Sequence, residues 1–268
     1  MIISVIGAGV IGSAVAKALV KNAVEDHVIA TDNRVEQFSE LKKEGIETTT
    51  DNKKAASIAD IVVLCVKPKD IKTVLTEIRN EVKGKLVLSI AAAVNLEILK
   101  KSAPEARFVR AMPNLAILVR ESFTAYSAGD GITNKDKAMI MKILDALGTY
   151  VEVEEDKMDA VTALSGCAPG YLASLMESII KGGIKVGLPA DFALTALAQS
   201  MVGTGRLILD VKKSPAEIMK MVATPGGVTE EELRELAKYP LQKAFQSALQ
   251  AGAEKSKIIS KILASENQ

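Results

Sequence analysis

Histidine is nearly missing from this chain: 268 residues contain one, His27. A hydrolytic triad needs an imidazole beside its nucleophile, and many metal sites are built from imidazoles or clustered thiolates. Both chemistries are set aside. Cysteine is almost as scarce. Cys65 and Cys167 lie far apart, with none of the neighbours of a metal site. Neither has the nearby histidine that would make a catalytic thiolate. The expectation is a reduced, cytoplasmic protein without a disulfide. Charge of one sign is not in excess: 34 basic residues face 33 acidic ones, well mixed, for a net charge of +1. No footprint for nucleic acid or an anionic membrane follows from that. No uninterrupted apolar run approaches the length of a membrane span. The N-terminus, M-I-I-S-V-I-G-A-G, lacks a basic leader and a cleavage site, so no signal peptide is expected.

What is present suits one or two globular domains, with 48% hydrophobic and 25% charged residues. Ile2–Ile6 is a short β-branched run, hence a buried strand. Gly7-Ala8-Gly9-Val10-Ile11-Gly12 follows at once, and Ser13–Val20 continues as an alanine-rich helix. Strand, G-x-G-x-x-G, helix is the arrangement that binds a dinucleotide. The first glycine makes the turn, the second admits the pyrophosphate, and the third lets helix and strand touch. A second strand, His27–Thr31, ends in Asp32-Asn33-Arg34. His27 is read as a surface residue. Asp32 lies about 20 residues past the third glycine, where an acid accepts from the ribose of NAD. Asn33 and Arg34 are the opposite signal, an amide and a guanidinium suited to the 2′-phosphate of NADP. The two readings stay open.

Further strands are expected at Ile46–Thr49, Ile61–Val66, Lys85–Ala91, Phe108–Met112, Ser122–Ser127 and Tyr150–Glu154. Lys67-Pro68 ends one and opens a helix to about Val82; Pro113-Asn114 ends another. A helix is expected from Asn134 to Leu147. Small residues at Ala91-Ala92-Ala93 would let a cofactor approach the backbone. The alternation argues a doubly wound α/β sheet. After Glu155 the strand signal stops. Helices are expected over Lys157–Lys185, Asp191–Leu209, Pro215–Val222, Thr229–Lys238 and Leu241–Leu263. We therefore place a dinucleotide-binding Rossmann domain at 1–155 and an all-helical domain at 156–268. Few large aromatics and helices this apolar leave the second domain short of cover. A second copy of the chain is expected to supply it. Gly166–Tyr171 interrupts the first long helix, as a kink near the substrate or as a packing crossing.

Thr224-Pro225-Gly226-Gly227 cannot be helix interior, because proline lacks a donor and glycine weakens a helix. Val228-Thr229-Glu230-Glu231 then starts a helix. A Gly-Gly turn feeding a helix N-terminus aims several amides at one spot, which suits a carboxylate or phosphate. Thr229 adds a hydroxyl.

With these residues assembled, the chain resembles the pyrroline-5-carboxylate reductases, which catalyse the last step of proline biosynthesis. The matching stretches are V-I-G-A-G-V-I-G-S-A, V-K-P at Val66–Pro68, S-I-A-A-A-V at Ser89–Val94 and V-R-A-M-P-N at Val109–Asn114. The second half adds L-S-G-C-A-P-G-Y at Leu164–Tyr171, G-G-I-K-V-G-L-P at Gly182–Pro189 and T-P-G-G-V-T at Thr224–Thr229. This many in one order covers the whole length. The resemblance implies that Gly7, Ala8, Gly9, Val10, Ile11 and Gly12 hold the pyrophosphate. Asn33, Arg34 and Asn52 would face the adenosine ribose and its 2′-phosphate. Val66, Lys67 and Pro68, with Ile90, Ala91 and Ala92, would line the nicotinamide, near Asn114 and Glu155. Thr224, Gly226, Gly227 and Val228 would bind the substrate carboxylate, and Thr229 would face the ring nitrogen. Interlocked dimers, often assembled into decamers, are implied as well. NADP is the favoured cofactor, with NAD left open by Asp32.

Some positions depart from the family pattern: Cys167, Ala168, Gly170, Thr224, Leu115-Ala116, the run Glu230-Glu231-Glu232, and Tyr239-Pro240. They touch the substrate pocket and the oligomer contacts more than the core chemistry. The alternatives are a reductase of a related cyclic imine or a 3-hydroxy acid, and a non-catalytic dinucleotide sensor.

Overall fold

The computed structural model describes residues 1–22 and 27–265. Its first part alternates strands and helices. In order these are β1 (Ile2–Ile6), α1 (Val10–Lys21), β2 (His27–Thr31), α2 (Phe38–Lys43), β3 (Glu47–Thr49), α3 (Asn52–Ile58) and β4 (Ile61–Leu64). Next come α4 (Ile71–Glu77), β5 (Leu86–Ser89), α5 (Leu96–Ser102), β6 (Arg107–Met112), β7 (Ser122–Ala128), α6 (Asn134–Leu147) and β8 (Gly148–Glu152). Only helices follow: α7 (Met158–Val161), α8 (Ala168–Lys185), α9 (Ala190–Leu209), α10 (Pro215–Val222), α11 (Val228–Leu236) and α12 (Leu241–Ser265).

The eight strands form one sheet in the order β3-β2-β1-β4-β5-β6-β7-β8. The order reverses beside β1, which pairs in parallel with both β2 and β4. Such a reversal opens a crevice at the carboxyl ends of the strands. Strands β1 and β4 are apolar almost throughout because helices cover both faces. One face packs Ile3, Val5 and Val63 with Val15 and Leu19 of α1 and Leu144 of α6. The other packs Ile6, Val62 and Leu64 with Leu75 of α4 and Leu99 of α5.

One pairing differs from a wholly parallel sheet: β6 and β7 run antiparallel. The connection between them is short. A 3-10 turn at Leu115–Val119 ends at Arg120, whose φ of +60° sends the chain straight back. A parallel return would need a crossover of a dozen residues or more.

Compact packing divides the chain into two units. The first comprises Met1–Pro169 with Leu249–Gln268, the second Gly170–Ala248. The change from strand to helix comes earlier, after β8, which is why a sequence boundary falls at 155. Residues just past that boundary stay with the sheet: Met158 is fully buried, and Thr162 and Ala163 nearly so. The end of α12 stays there too. Ser256 donates to Asp159 Oδ1 at 2.5 Å, and Ser260 donates to the Ala93 carbonyl at 2.7 Å. The helix expected over Lys157–Lys185, with an interruption at Gly166–Tyr171, is divided slightly earlier, into α7, a π turn at Thr162–Gly166 and α8. Gly166 lies against Met112 there, so closely that a Cβ would stand 2.5 Å from Met112 Cε.

The second unit has almost no core of its own. Among its described residues α8, α10 and α11 bury none, and α9 buries only Ala193. Phe192 is 58% exposed, Val186 81% and Leu209 67%. Helix α9 is long and apolar enough to cross a membrane on length and composition. The helix is nonetheless interrupted by Thr195, Gln199, Ser200, Thr204 and Arg206, so no uninterrupted apolar run is that long.

Candidate active site

The glycine turn after β1 is built by close contacts. Gly7 has φ of +96°, a left-handed backbone that glycine adopts without strain. Its amide and that of Ala8 donate to the Thr31 carbonyl at 2.9 and 2.8 Å, fastening the turn to the end of β2. A Cβ on Gly7 would come within 2.8 Å of the Val66 amide nitrogen. One on Gly12 would stand 1.9 Å from the Gly7 carbonyl oxygen. At Gly9 the nearest atom would be Arg34 Nη2, at 3.4 Å. Gly7 and Gly12 are therefore packed, while Gly9 borders open space. Gly9 is also the N-cap of α1 and brings no side-chain cap. The first-turn amides of α1 have no intrahelical acceptor, which is the setting that binds a phosphate. These residues fit a dinucleotide.

The turn opens into a cleft of ≈ 720 Å³. Gly7, Gly9, Val10, Ile11, Asp32, Asn33, Arg34, Asn52, Val66 and Lys67 line it. Ala8 and Gly12 are buried behind it. Lys69, Asp70 and Val74 line it too, and sequence reasoning missed them. Their signal was Pro68, which opens a 3-10 turn at the strand's carboxyl end and points the next residues inward. Cys65 sits at the back, and burial pushes its thiol well above the ordinary range. It is core rather than reactive.

Asp32 and Arg34 are bonded to one another. Asp32 Oδ1 accepts the Arg34 amide at 2.9 Å and its Nε at 3.1 Å. Burial alone would raise the Asp32 carboxyl, but the bonds from Arg34 outweigh that and hold it below its usual value. Asn52 is held from two sides. Its Oδ1 accepts the Thr31 hydroxyl at 2.6 Å, and its Nδ2 donates to Glu77 at 3.0 Å.

Ile90 and Ala91 follow β5 and are buried; Ala92 is half-buried. Ala93 takes φ of +60°. The remaining expected cofactor residues are engaged in structure. Asn114 Nδ2 donates to the Ser165 carbonyl at 3.2 Å, and its Oδ1 accepts the Ala116 amide at 3.0 Å. Glu155 Oε1 accepts Arg110 Nη1 at 2.8 Å and the Leu96 amide at 3.1 Å.

The second unit holds the Thr224–Thr229 turn. The Gly227 amide donates to the Thr224 carbonyl at 2.9 Å, closing it. Gly226 has φ of +72°. A Cβ on Gly227 would stand 2.4 Å from Thr224 Oγ1, so glycine is required by packing as well. Gly227 is the N-cap of α11, again without a side-chain cap. The amides of Val228 and Thr229 thus begin a helix with no intrahelical acceptor. The acidic run finds a role: Glu230 Oε2 accepts the Gly226 amide at 2.7 Å, and Glu231 pairs with Arg234. Val228 is 78% exposed and Thr229 half-buried.

Comparison with known proteins agrees with this geometry. Residues 155–259 match a family model described as pyrroline-5-carboxylate reductase dimerisation. Residues 2–93 match one described as NADP oxidoreductase, coenzyme F420-dependent. A pyrroline-5-carboxylate reductase from Methanosarcina acetivorans is 34% identical over 264 residues, covering 97% of this chain and 98% of the relative. The solved structure of one from Coxiella burnetii superposes with a TM-score of 0.90 at 31% identity, over 96% of this chain and 98% of the other. One from Plasmodium falciparum, solved with NADP bound, gives 0.87 at 26% identity, covering 96% and 97%. With full-length likeness at this identity, the chain belongs to the pyrroline-5-carboxylate reductase family.

Proposed function

We propose that this protein is an NAD(P)H-dependent imine reductase that converts 1-pyrroline-5-carboxylate to L-proline. The observation that carries this is the pair of uncapped, glycine-led helix starts in one chain, at Gly9 and at Gly227. The first suits the pyrophosphate of a dinucleotide and the second a small carboxylate. NADP(H), the bound cofactor of the Plasmodium relative, supplies the hydride. In this reading Asn33, Arg34 and Asn52 receive the adenosine ribose. Val66, Lys67, Pro68, Ile90, Ala91 and Ala92 flank the nicotinamide. Thr224, Gly226, Gly227 and Val228 clamp the carboxylate, and the Thr229 hydroxyl addresses the ring nitrogen. The Gly227 amide already closes the turn, so it shapes the clamp, and Val228 and Thr229 supply the free donors.

The scarcity of histidine fits this chemistry. Carbonyl reduction calls for a strong acid to protonate a developing alkoxide. A cyclic imine arrives already protonated, so orientation and a hydroxyl suffice. Residues 1–155 would bind the cofactor, and residues 156–268 the substrate and a second copy of the chain. That copy is the cover the bare face of α9 calls for, and dimers of this kind assemble into decamers.

The experiment is a steady-state assay with pyrroline-5-carboxylate and each reduced cofactor, on wild type and Thr229→Ala. Turnover by wild type and a fall in kcat in the variant, with its Tm unchanged, are expected. Full activity in the variant removes Thr229 from the mechanism. Cofactor binding without turnover of this substrate, a related cyclic imine or a 3-hydroxy acid would instead make the protein a sensor.

A further inference from the structure

We propose that Ser260, in the last helix, is a positioning residue for hydride transfer: its hydroxyl holds the Ala93 carbonyl, and with it the loop that flanks the nicotinamide. This rests on the placement of Ile90, Ala91 and Ala92 in the reading above. The loop leaves β5 and is fastened at both ends. At its start the Ile90 amide donates to the Leu64 carbonyl at 3.0 Å. At its end Asn95 Oδ1 accepts the Ile98 amide at 2.9 Å, and Glu155 Oε1 accepts the Leu96 amide at 3.1 Å. Between them Ala93 takes the left-handed conformation, with φ of +60°. Glycine adopts that backbone freely. Alanine adopts it at a cost that surrounding contacts must offset. Ser260 Oγ donates to the Ala93 carbonyl at 2.7 Å, from 167 residues along the chain.

The helix that carries Ser260 is itself fixed. Gly252, Ser256 and Ser260 recur every four residues, along one face of α12. A Cβ on Gly252 would stand 3.2 Å from Ala163 Cβ, so the helix comes close there. Ser256 is buried and donates to Asp159 Oδ1 at 2.5 Å. About one turn beyond Ser260, Leu263 packs against the cluster that contains Val94, Ile98 and Leu99. These contacts set the depth and register of the helix. Of the four residues, Ser260 is the one that bonds the backbone of the loop. Its hydroxyl touches no reacting atom in this reading, so its effect on the reaction passes through the Ala93 peptide. Small displacements of a positioned reactant are felt strongly in the rate.

The test separates the nicotinamide end of the cofactor from the rest. Calorimetry compares NADPH with 2′,5′-ADP, which has no nicotinamide. Ser260→Ala is expected to weaken NADPH about fivefold, the factor one hydrogen bond corresponds to, and to leave 2′,5′-ADP unchanged. Its kcat with pyrroline-5-carboxylate should fall about tenfold at an unchanged substrate KM, well inside the roughly hundredfold that a misplacement of about 1 Å costs. Ser260→Thr keeps the hydroxyl and should restore NADPH affinity and kcat. Ser256→Ala loosens the same helix one turn away and should spare both. A parallel loss of NADPH and 2′,5′-ADP affinity in Ser260→Ala, or an equal effect of Ser256→Ala, would make Ser260 a structural anchor and overturn the proposal. Ala92→Val tests the underlying placement, and should weaken NADPH while sparing 2′,5′-ADP. If it does so and Ser260→Ala changes nothing, the placement stands and this inference falls. If Ala92→Val leaves NADPH unchanged, the loop lies away from the nicotinamide and both fall. Failure of wild type to reduce the imine counts against the substrate reading alone, because the binding comparison needs no turnover.

Discussion

Arg110 and Glu155 form an ion pair that is buried on one side only: the Arg110 side chain is 3% exposed and the Glu155 side chain 32%. Nη1 stands 2.8 Å from Oε1, and the same oxygen caps the first residue of α5 through the Leu96 amide. The pair thus ties β6 to the start of α5 and to the chain leaving β8. Among the described residues Arg110 Nη2 and Glu155 Oε2 are buried with no hydrogen-bond partner. Removing one member of such a pair leaves the other's charge stranded, and the cost depends on how far water can reach it. Glu155→Ala strands a fully buried guanidinium and frees the Leu96 amide, while Asn95 still caps α5, for a loss of about 3 kcal/mol. Arg110→Met strands a carboxylate that water partly reaches, and should cost about 1 kcal/mol. Urea unfolding at a fixed protein concentration decides between them. Equal losses, or the reverse order, would mean that burial of Arg110 does not govern the pair.

Asp136 gives the fold an acid limit. Bonds from Arg107, with further ones from Thr133, hold its carboxyl at about 2 despite burial, against an ordinary value of 3.8. Nη2 of Arg107 is 2.9 Å from Oδ1, and the Asp136 side chain is 5% exposed. Because the folded value lies below the unfolded one, the stabilisation is complete above pH 4 and drains away as the pH falls from about 4 to about 2. Asp136→Asn should therefore cost about 2 kcal/mol at neutral pH and flatten the stability profile across that window. Chemical unfolding at several pH values checks this. A variant that keeps the wild-type slope below pH 4 places the acid sensitivity elsewhere.

Gly9 and Gly12 look alike in sequence but should respond differently to the same change. A methyl group on Gly12 meets the Gly7 carbonyl oxygen at 1.9 Å, which only a backbone shift relieves. On Gly9 it meets nothing nearer than a flexible arginine tip at 3.4 Å, and the φ there is −70°. Gly12→Ala is expected to lose several kcal/mol of stability, on the order of an overpacked core. Gly9→Ala should fold with an unchanged Tm and raise the KM for the cofactor, because the added methyl stands where the pyrophosphate comes close. Differential scanning calorimetry and cofactor titration together check both. A destabilised Gly9→Ala with normal cofactor KM would mean that this edge of the cleft is not the phosphate site.

The contrast between those two glycines marks what the sequence could disclose. The glycine turn, the buried strands and the exact bounds of α6 were legible, because they follow from local patterns: β-branched runs, close glycine spacing, and a Thr133 cap three residues before Asp136. The antiparallel β7 was not, since it depends on Arg120 adopting a left-handed turn that nothing in its side chain requires. The packing of the last helix residues beside Ala93 was hidden for a similar reason. Ser260 and the Ala93 carbonyl are far apart in sequence, and only the tertiary fold brings them to 2.7 Å. Within the site, Asp32 and Arg34 were both visible, but their mutual bond was not. Two opposite signals read from the letters turn out to be one joined group.

Glu230 and Gly226 supply the last test, and it explains why an acidic residue follows the glycine turn. Gly226 is in a left-handed conformation with open space around it, so no packing holds it. The bond from its amide to Glu230 Oε2, at 2.7 Å, fastens it to the first turn of α11. A carboxylate at that end of a helix is also favoured by the helix dipole. Removing it should loosen the turn without unfolding the helix, a loss of about 1 kcal/mol confined to the cap. Amide hydrogen exchange at Gly226 reports this directly. Glu230→Ala is expected to speed exchange there about fivefold, the factor that about 1 kcal/mol of local opening corresponds to. Glu230→Gln, which keeps an acceptor oxygen, should recover part of the protection. If exchange at Gly226 is the same in all three proteins, the turn is held by the Gly227–Thr224 bond alone.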